Sequence, residues 1–308
     1  MKFKSVLVTG GAGSFGSAFV KKLLDDNLCD RVCVFSRGEH RQSALKRQLN
    51  DSRARFFIGD IRDLERLETA MHGVDLVVHA AALKDILSCE YNCEEAVKTN
   101  VLGSMNINAA ARRAGVKRVM LISTDKAAAS NTLYGATKFA AERATVAANV
   151  MSPNGTQYSA VRYGNVEGSA GSVIPLFKQL VAEGANSLPI TDERMTRFFW
   201  SIDDAVEFTL SSIEMMAGGE VFIPKIKARR IVDVAREVAP DLPHRFVGIR
   251  PNEKLHEILI SEDESRNAVE LPDRYVLCPP DPQWDRSHLV GAKKVAEDFV
   301  FGSEFMTV

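Results

Sequence analysis

Short apolar runs recur along the first half of the chain, at 5–9, 31–35, 54–58, 76–79, 119–123 and 158–162. Helical patterns such as 17–24 and 95–114 lie between most of them. A run that is apolar throughout, with no polar alternation, marks a strand covered on both faces. Strands joined through helices run parallel, and right-handed crossovers place those helices on both sides of the sheet. The pattern therefore predicts an α/β fold built on a doubly wound parallel sheet. After about residue 166 glycine, proline and charged residues become frequent and the elements shorten. GSAGSVIPLF, LPITDERMTRFFW, FIPKI and IRPNEKLHEI read as loops and short elements of a smaller lobe. The expected division is 1–165 for the main domain and 166–308 for a lobe interleaved with it. The stretch from 278 onward, with DPQWD, carries few periodic cues.

At 308 residues and 33.9 kDa the chain is long enough for such a core. Its 39 basic and 40 acidic residues leave a net charge of −1. That balance gives no reason to expect a nucleic acid or an anionic membrane as partner. No apolar run reaches the length of a membrane span, and the opening MKFKSVLVTGG reads as a first strand, not a signal peptide. The expectation is a cytoplasmic protein. Cys29, Cys33, Cys89, Cys93 and Cys278 are odd in number and scattered, which argues against a disulfide framework. No nearby histidine completes a metal site around Cys89 and Cys93, so no metal is expected.

The first strand ends in VLVTGGAGSFGSAFV, with Gly10, Gly13 and Gly16 spaced GxxGxxG. Between a strand and a helix, Gly10 suits the tight turn and Gly13 the close approach of a pyrophosphate. Gly16 lets helix and strand pack closely, and the helix start favours an anion. The whole turn, with Ala12, Ser14 and Phe15, is expected to cradle a dinucleotide. A ligand-free βα turn is the bland alternative, and the strand–helix context weighs against it. The second strand ends in VFSRGEHRQ. A carboxylate there would accept from a ribose 2′-hydroxyl; Ser36 and Arg37, with Arg41 a turn on, suit a 2′-phosphate instead. The cofactor expected is NADP. Asp60 in GDIRD, beside Ile61, suits the adenine amino group, and the small Ala80, Ala81 and Ala82 of HAAALK let the chain pass close to the cofactor.

In STDKAAASNTLYGATK, Tyr134 and Lys138 share a helix face. Such a pair can act as a hydroxyl base, with the ammonium lowering the phenol pKa. Alone, YxxxK is usually only a helix face; after the glycine turn it gains weight. Asp125 and Lys126 follow a strand at the carboxyl edge of the sheet, where ligands bind in such folds, so an exposed ion pair of little worth is the weaker reading.

With these residues in view, the chain resembles the extended short-chain dehydrogenases/reductases, Rossmann-type enzymes acting on nucleotide sugars. Among them it is most similar to the inverting UDP-N-acetylglucosamine 4,6-dehydratases of pseudaminic-acid-type pathways. The likeness runs through TGGAGSFG, SRGEHRQ, GDIRD, HAAALK, EYN, KTNVLG, STDKA, LYGATK, RYGNVEGSAGSVIPLF, PITDERMTRFFW, GGEVFIPKI and IRPNEKLHE. The resemblance implies an NADP-dependent hydro-lyase. Hydride leaves C4 of the sugar, water is lost across C5 and C6, and hydride returns to C6 with C5 inverted. The product implied is a UDP-2-acetamido-2,6-dideoxy-L-arabino-hex-4-ulose.

By the same resemblance Tyr134 is the base for oxidation, Lys126 the base for the C5 proton and Asp125 the acid for the departing hydroxyl. Those roles call for an ammonium made less stable and a carboxyl kept protonated. Thr124 resembles the residue that binds the C4 oxygen, and Asn165 a ligand to the sugar diphosphate. Arg197 and Arg250 resemble phosphate clamps, for which a guanidinium fork is suited. Glu253 resembles a ligand to ribose or uridine, and Lys84 is expected near both cofactor and substrate. Homo-oligomers are usual for such enzymes.

The chain departs from the family's pattern at Asp85, Ile86 and Leu87, where His or Gln and then Val-Pro is usual. It also departs at Asn252, where glycine is usual, and at Cys93, where proline is usual. It ends sooner, so a segment touching a neighbouring subunit is expected to be absent. The competing readings are a 4-epimerase, a dehydratase of another UDP-sugar, a retaining dehydratase and an NADP-sensing protein without catalysis. An epimerase would not need Asp125 and Lys126; a retaining enzyme would lack the tyrosine of LYGATK; a sensor would have a broken catalytic set.

Overall fold

The fold was read from a computed structural model that describes all residues except 153–154, 170–171, 251, 282 and 306–308. Residues 170–171, 251 and 282, within GSAGSVIPLF, IRPNEKLHEI and DPQWD, thus lie outside the described residues. The chain opens with β1 (Phe3–Thr9), α1 (Ser14–Asp25), β2 (Cys29–Ser36), α2 (Glu39–Leu49), β3 (Ala54–Ile58), α3 (Leu64–Met71) and β4 (Leu76–His79). Next come α4 (Ile86–Tyr91), α5 (Cys93–Ala96), a π-helical turn (Val97–Leu102), α6 (Gly103–Ala114), β5 (Arg118–Ile122), α7 (Leu133–Ala147) and β6 (Gln157–Val161). The six expected strands are present, with ends shifted by up to two residues. The helix read at 95–114 is broken by the π turn, and the helix read at 17–24 begins earlier, at Ser14.

Four further strands follow: β7 (Asn165–Val166), β8 (Leu188–Ile190), β9 (Thr196–Trp200) and β10 (Val221–Pro224). Seven strands are parallel in one sheet, in the order β3-β2-β1-β4-β5-β6-β10. Beyond β10 the strands Arg274–Leu277, Ala268–Glu270 and Lys293–Lys294 extend the same sheet antiparallel. The two faces separate residue by residue. Val6 and Val8 of β1 join a core with Phe19, Val20 and Leu23 of α1. Leu7 between them joins Leu67 and Met71 of α3 and Ile107 of α6. This two-sided cover is the reason the strands read as unbroken apolar runs.

A third core lies in the later part of the chain. It gathers Phe177, Leu188, Ile190, Phe199 and Ile231. The strand Thr196–Trp200, β9, links it to the main body: Phe198 packs into the large core, and its neighbour Phe199 into the small one. Trp200 packs at a tilt against Tyr163, just past β6, with ring centroids 5.0 Å apart. Four cysteines are buried and Cys93 is exposed, all as free thiols. Among the described residues no helix is long and apolar enough to cross a membrane.

Candidate active site

The chain leaves β1 first toward β2 and β3 and then, from β4, in the other direction. A crevice opens at the carboxyl ends of strands where the order reverses. There lies a cleft of about 1050 Å³ that continues onto the smaller lobe. Every candidate cofactor, substrate or catalytic residue read from the sequence lines it except Asp125, which is wholly buried against the Lys126 wall.

At the cleft's inner end the glycine turn meets the end of β4. Gly10 has φ +66°, and a Cβ on it would stand 2.8 Å from the Ala81 nitrogen. A Cβ on Gly16 would collide with the Gly10 carbonyl. The turn therefore needs the missing side chains at both positions. No side chain caps the start of α1, so its first N–H groups suit a pyrophosphate. The donor set and the close backbone fit a dinucleotide.

The far rim is basic. Arg37 and Arg41 are exposed, Arg37 standing 3.8 Å from Asp60. The Ser36 hydroxyl accepts from Gln42 Nε2 at 3.0 Å, which fixes the end of β2. Burial pushes the Asp60 carboxyl up, but hydrogen bonds from Arg62 outweigh it and hold its pKa below the usual carboxylate value. Asp60 is thus a fixed acceptor at the cleft wall.

The candidate reacting groups cluster after β5. Thr124 donates to Asp125 Oδ1 at 2.9 Å, and Lys126 Nζ reaches the same oxygen at 3.0 Å. Asp125 Oδ2 has no hydrogen-bond partner. Burial, reinforced by the charge of Glu257, pushes the Asp125 carboxyl up, as an acid that holds its proton requires. Lys126 behaves otherwise than the sequence suggests. Burial and Arg197 work against its charge, yet Asp125 and Glu257, the latter 3.3 Å away, outweigh them and hold its pKa above the ordinary lysine value.

The tyrosine also differs from expectation. Burial pushes the Tyr134 phenol up to about 12. The groups that oppose this are the Lys126 charge and a hydrogen bond with Thr124, not Lys138. Lys138 instead donates to the Ile122 carbonyl at 2.7 Å, and burial brings it down to about 8. The reason is directional: Lys138 Nζ is drawn back onto β5, whereas Lys126 faces the phenol. Lys84 is also lowered, first by burial and then by Lys126, so the cluster carries several mutually repelling cations.

On the substrate side Asn165 begins a short strand, Asn165–Val166, paired with β9. Arg197 is buried, and its guanidinium donates to the carbonyls of Thr196, Lys254 and Leu255 at 2.7–3.1 Å. It also lies 3.6 Å from both Glu253 and Glu257. In this conformation Arg197 organises the 253–257 loop instead of presenting an open fork to phosphate. Arg250 is exposed, and its backbone N–H reaches Glu253 Oε2 at 3.4 Å. Asn252 has φ +62°, which explains why glycine is usual there; asparagine is among the side chains that tolerate this region. Asp85 caps α4, accepting from the Ser88 N–H at 2.8 Å, with Leu87 beside it at the cleft's edge.

The chain's relatives carry the same architecture. Residues 6–279 match the family described as polysaccharide biosynthesis protein. A Campylobacter jejuni UDP-N-acetylglucosamine 4,6-dehydratase (inverting) is 46% identical, over 98% of this chain and 92% of its own. The chain belongs to the family of inverting UDP-N-acetylglucosamine 4,6-dehydratases. The crystal structure of Pen from Bacillus thuringiensis superposes with a TM-score of 0.91 at 35% identity, covering 100% of this chain and 94% of that one. A dTDP-glucose 4,6-dehydratase from Streptomyces venezuelae, solved with NAD bound, superposes at 0.73 with 27% identity, covering 82% and 86%.

Against this dehydratase framework, three groups stand out that the sequence reading left without a role. Glu257 faces Lys126. Lys254 donates to the Ala128 carbonyl at 2.8 Å, tying the later loop to the turn after β5. Asn100, in the π turn, pairs with both backbone groups of Leu83 at 2.8–2.9 Å and reaches Thr137 Oγ1 at 3.0 Å. All three sit inside stretches that carry the family likeness, KTNVLG and IRPNEKLHE. The signal was present, but only the fold shows what each side chain touches.

Proposed function

We propose that the chain is an NADP-dependent, C5-inverting 4,6-dehydratase of UDP-N-acetylglucosamine. The observation that carries this reading is the Asp125–Lys126 pair, in contact at 3.0 Å beside Tyr134, with Asp125 fully buried. Water elimination needs an acid and a base for C5 and C6 besides the base for the C4 hydroxyl; an epimerase needs only the last and has no use for this pair. When bound, the nicotinamide supplies a hydride acceptor for C4 and a donor for C6. Tyr134 takes the C4 hydroxyl proton and Thr124 holds that oxygen. Lys126 takes the C5 proton, and Asp125 protonates the departing 6-hydroxyl. Tyr134 then returns a proton to the opposite face of C5.

Arg37 and Arg41 on the rim support NADP over NAD, since neither they nor Ser36 is an acceptor for a 2′-hydroxyl pair in the way a carboxylate would be. Asn165, Arg250 and Glu253 are assigned to the nucleotide diphosphate, with Arg197 joining them once substrate displaces its carbonyl contacts. Residues 1–165 hold the cofactor and most of 166–308 the sugar nucleotide. Exposed Leu102, Met105 and Phe139 on neighbouring helices support a homo-oligomer. The setting proposed is the cytoplasm, in a glycan pathway of the pseudaminic-acid type.

The test is a proton NMR time course with UDP-N-acetylglucosamine in D₂O, run alone and with NADP⁺ or NAD⁺ supplied. A methyl singlet from a 6-deoxy-4-keto sugar of L configuration, deuterated at C5, is expected, with NADP⁺ the better activator. Only a 4-epimer, or an unchanged sugar under all three conditions, would refute the reading. Lys126→Ala is expected to bind NADP and yet give no deuterium at C5.

A further inference from the structure

Glu257 is a buried carboxylate with no role in the chemistry assigned above. It is 3% exposed and lines the cleft, and its Oε1 lies 3.3 Å from Lys126 Nζ. Its Oε2 has no hydrogen-bond partner. Its backbone is clamped from the end of the chain: the Glu257 N–H donates to Ser303 Oγ, and the Ser303 N–H to the Glu257 carbonyl, both at 2.8 Å. Arg197 Nε stands 3.6 Å from Oε1. A desolvated acid costs several kcal/mol unless it is paired. Here the pairing is with two cations, one of which is the group assigned to remove the C5 proton.

We propose that Glu257 is the fixed negative charge that sets the proton inventory of the Asp125–Lys126 pair. The inference rests on the dehydratase reading. Elimination starts with a proton on Asp125 and none on Lys126. The C5 proton passes to Lys126 Nζ, and its C–H electron pair becomes the C5=C6 bond. The C6–O bond breaks, and the hydroxide leaves as water with the proton from Asp125. The pair then holds an ammonium and a carboxylate, and a proton crossing the 3.0 Å between them restores the start. Glu257 neither gains nor loses a proton. Its charge stabilises the ammonium as it forms and discourages ionisation of Asp125. The first effect favours the forward step, and the second keeps on Asp125 the proton that it later gives to the leaving hydroxyl.

The surroundings bear on the sign. Lys126 is faced by Asp125 on its own turn, Glu257 and Lys254 on the later loop, Arg197 on β9, Lys84 after β4 and Tyr134 on α7. Three of these six are cations. Glu257 is the nearest anion besides Asp125, so removing its charge makes an already positive setting more positive and disfavours the ammonium.

Two variants and two readouts test this. In Glu257→Gln the acidic limb of kcat/KM for dehydration is expected to move to lower pH by about 1 to 3. The maximal rate falls about tenfold or more, because a weaker base accepts the proton more slowly. The pH midpoint for acetylation of Lys126, read by mass spectrometry, moves in parallel. Glu257→Asp keeps the charge and is expected to keep the midpoint near wild type. Glu304→Gln, an exposed acid nearby, is expected to move neither readout. A Glu257→Gln enzyme that loses rate with both midpoints unmoved would overturn the proposal, as would one unchanged in every respect. The acetylation readout needs no turnover, so it tests Glu257 even if the dehydratase reading fails.

Discussion

At the scale of single residues, His79 shows how a buried neutral group ties stability to pH. It ends β4 directly below the cleft floor, 1% exposed. Its Nδ1 meets Thr9 Oγ1 at 2.7 Å and its Nε2 meets Ser104 Oγ at 2.9 Å. Burial, helped by the Lys138 charge, pushes its pKa from 6.5 down to about 3. The unfolded chain therefore binds this proton at a higher pH than the folded one. Stability from His79 is complete above about pH 6.5 and is lost as pH falls toward about 3, by about 1.4 kcal/mol per pH unit at most. Urea unfolding at pH 7 and pH 5 checks it. His79→Asn lowers stability at both values, but its loss between them should be smaller than in wild type. Equal losses would show that His79 is not the acid-sensitive group.

At the scale of elements, the π turn Val97–Leu102 is the piece that joins the cofactor side of the cleft to the helix carrying Tyr134. The extra residue in the turn directs Asn100 inward. Asn100 satisfies the Leu83 N–H and carbonyl and reaches Thr137, whose hydroxyl donates to the Tyr134 carbonyl at 2.8 Å. Asn100→Ala takes from the Leu83 N–H its side-chain acceptor and leaves the Leu83 carbonyl with only the weak Cys89 thiol contact at 3.7 Å, at a cost of about 1–3 kcal/mol. The same variant is expected to weaken dinucleotide binding, because the loop from Ala80 to Lys84 loses its anchor. Calorimetric titration with NADP⁺ beside thermal unfolding separates the two effects. Unchanged affinity with lowered stability would confine Asn100 to a structural role.

How far these elements were legible follows from their physics. The parallel strands announced themselves because burial on both faces demands unbroken apolar runs. The π turn was invisible because its buried residues and their neighbours, Ala96, Asn100, Gly103 and Ile107, are spaced as on an ordinary helix face. The early start of α1 was missed because Gly13 and Gly16 suppress helix propensity where the turn requires them. The short strands of the later part, such as Asn165–Val166 and Phe301–Gly302, are too brief to show a period. In the site, residue identities were readable from motifs, but electrostatics were not. Asp125 adjoins Lys126 in sequence, whereas Glu257 reaches it only through the fold. Asp125 and that second carboxylate together reverse the expected direction for Lys126.

At the scale of the molecule, the two functional parts are not two folding units. The sheet runs without a break from β6 into β10 and on to Arg274–Leu277, so strands from after residue 166 complete a sheet begun before it. A buried charge network reinforces the seam. Arg162 is 0% exposed and pairs with Glu142 of α7 at 2.5 Å and with Glu264 at 2.7 Å. It also donates to the Leu259 carbonyl at 2.9 Å. Glu264 in turn closes a capping box with Ser261. Breaking a buried pair strands its partners, which costs about 3–5 kcal/mol. Arg162→Met should lower the unfolding free energy by that amount, read as a fall in the denaturant midpoint at unchanged m, and, through Leu259, loosen the loop that ends in Glu257. Both tryptophans, Trp200 and Trp284, lie after residue 166, whereas α1, α3, α6 and α7 precede it. Tryptophan fluorescence therefore reports chiefly on the later part, and far-ultraviolet dichroism chiefly on the earlier. Because one sheet and one charge network span both, the two signals should follow a single transition in wild type, despite a length at which chains often unfold in stages. Separate midpoints would mean that the seam at Arg162 is weaker than its burial implies.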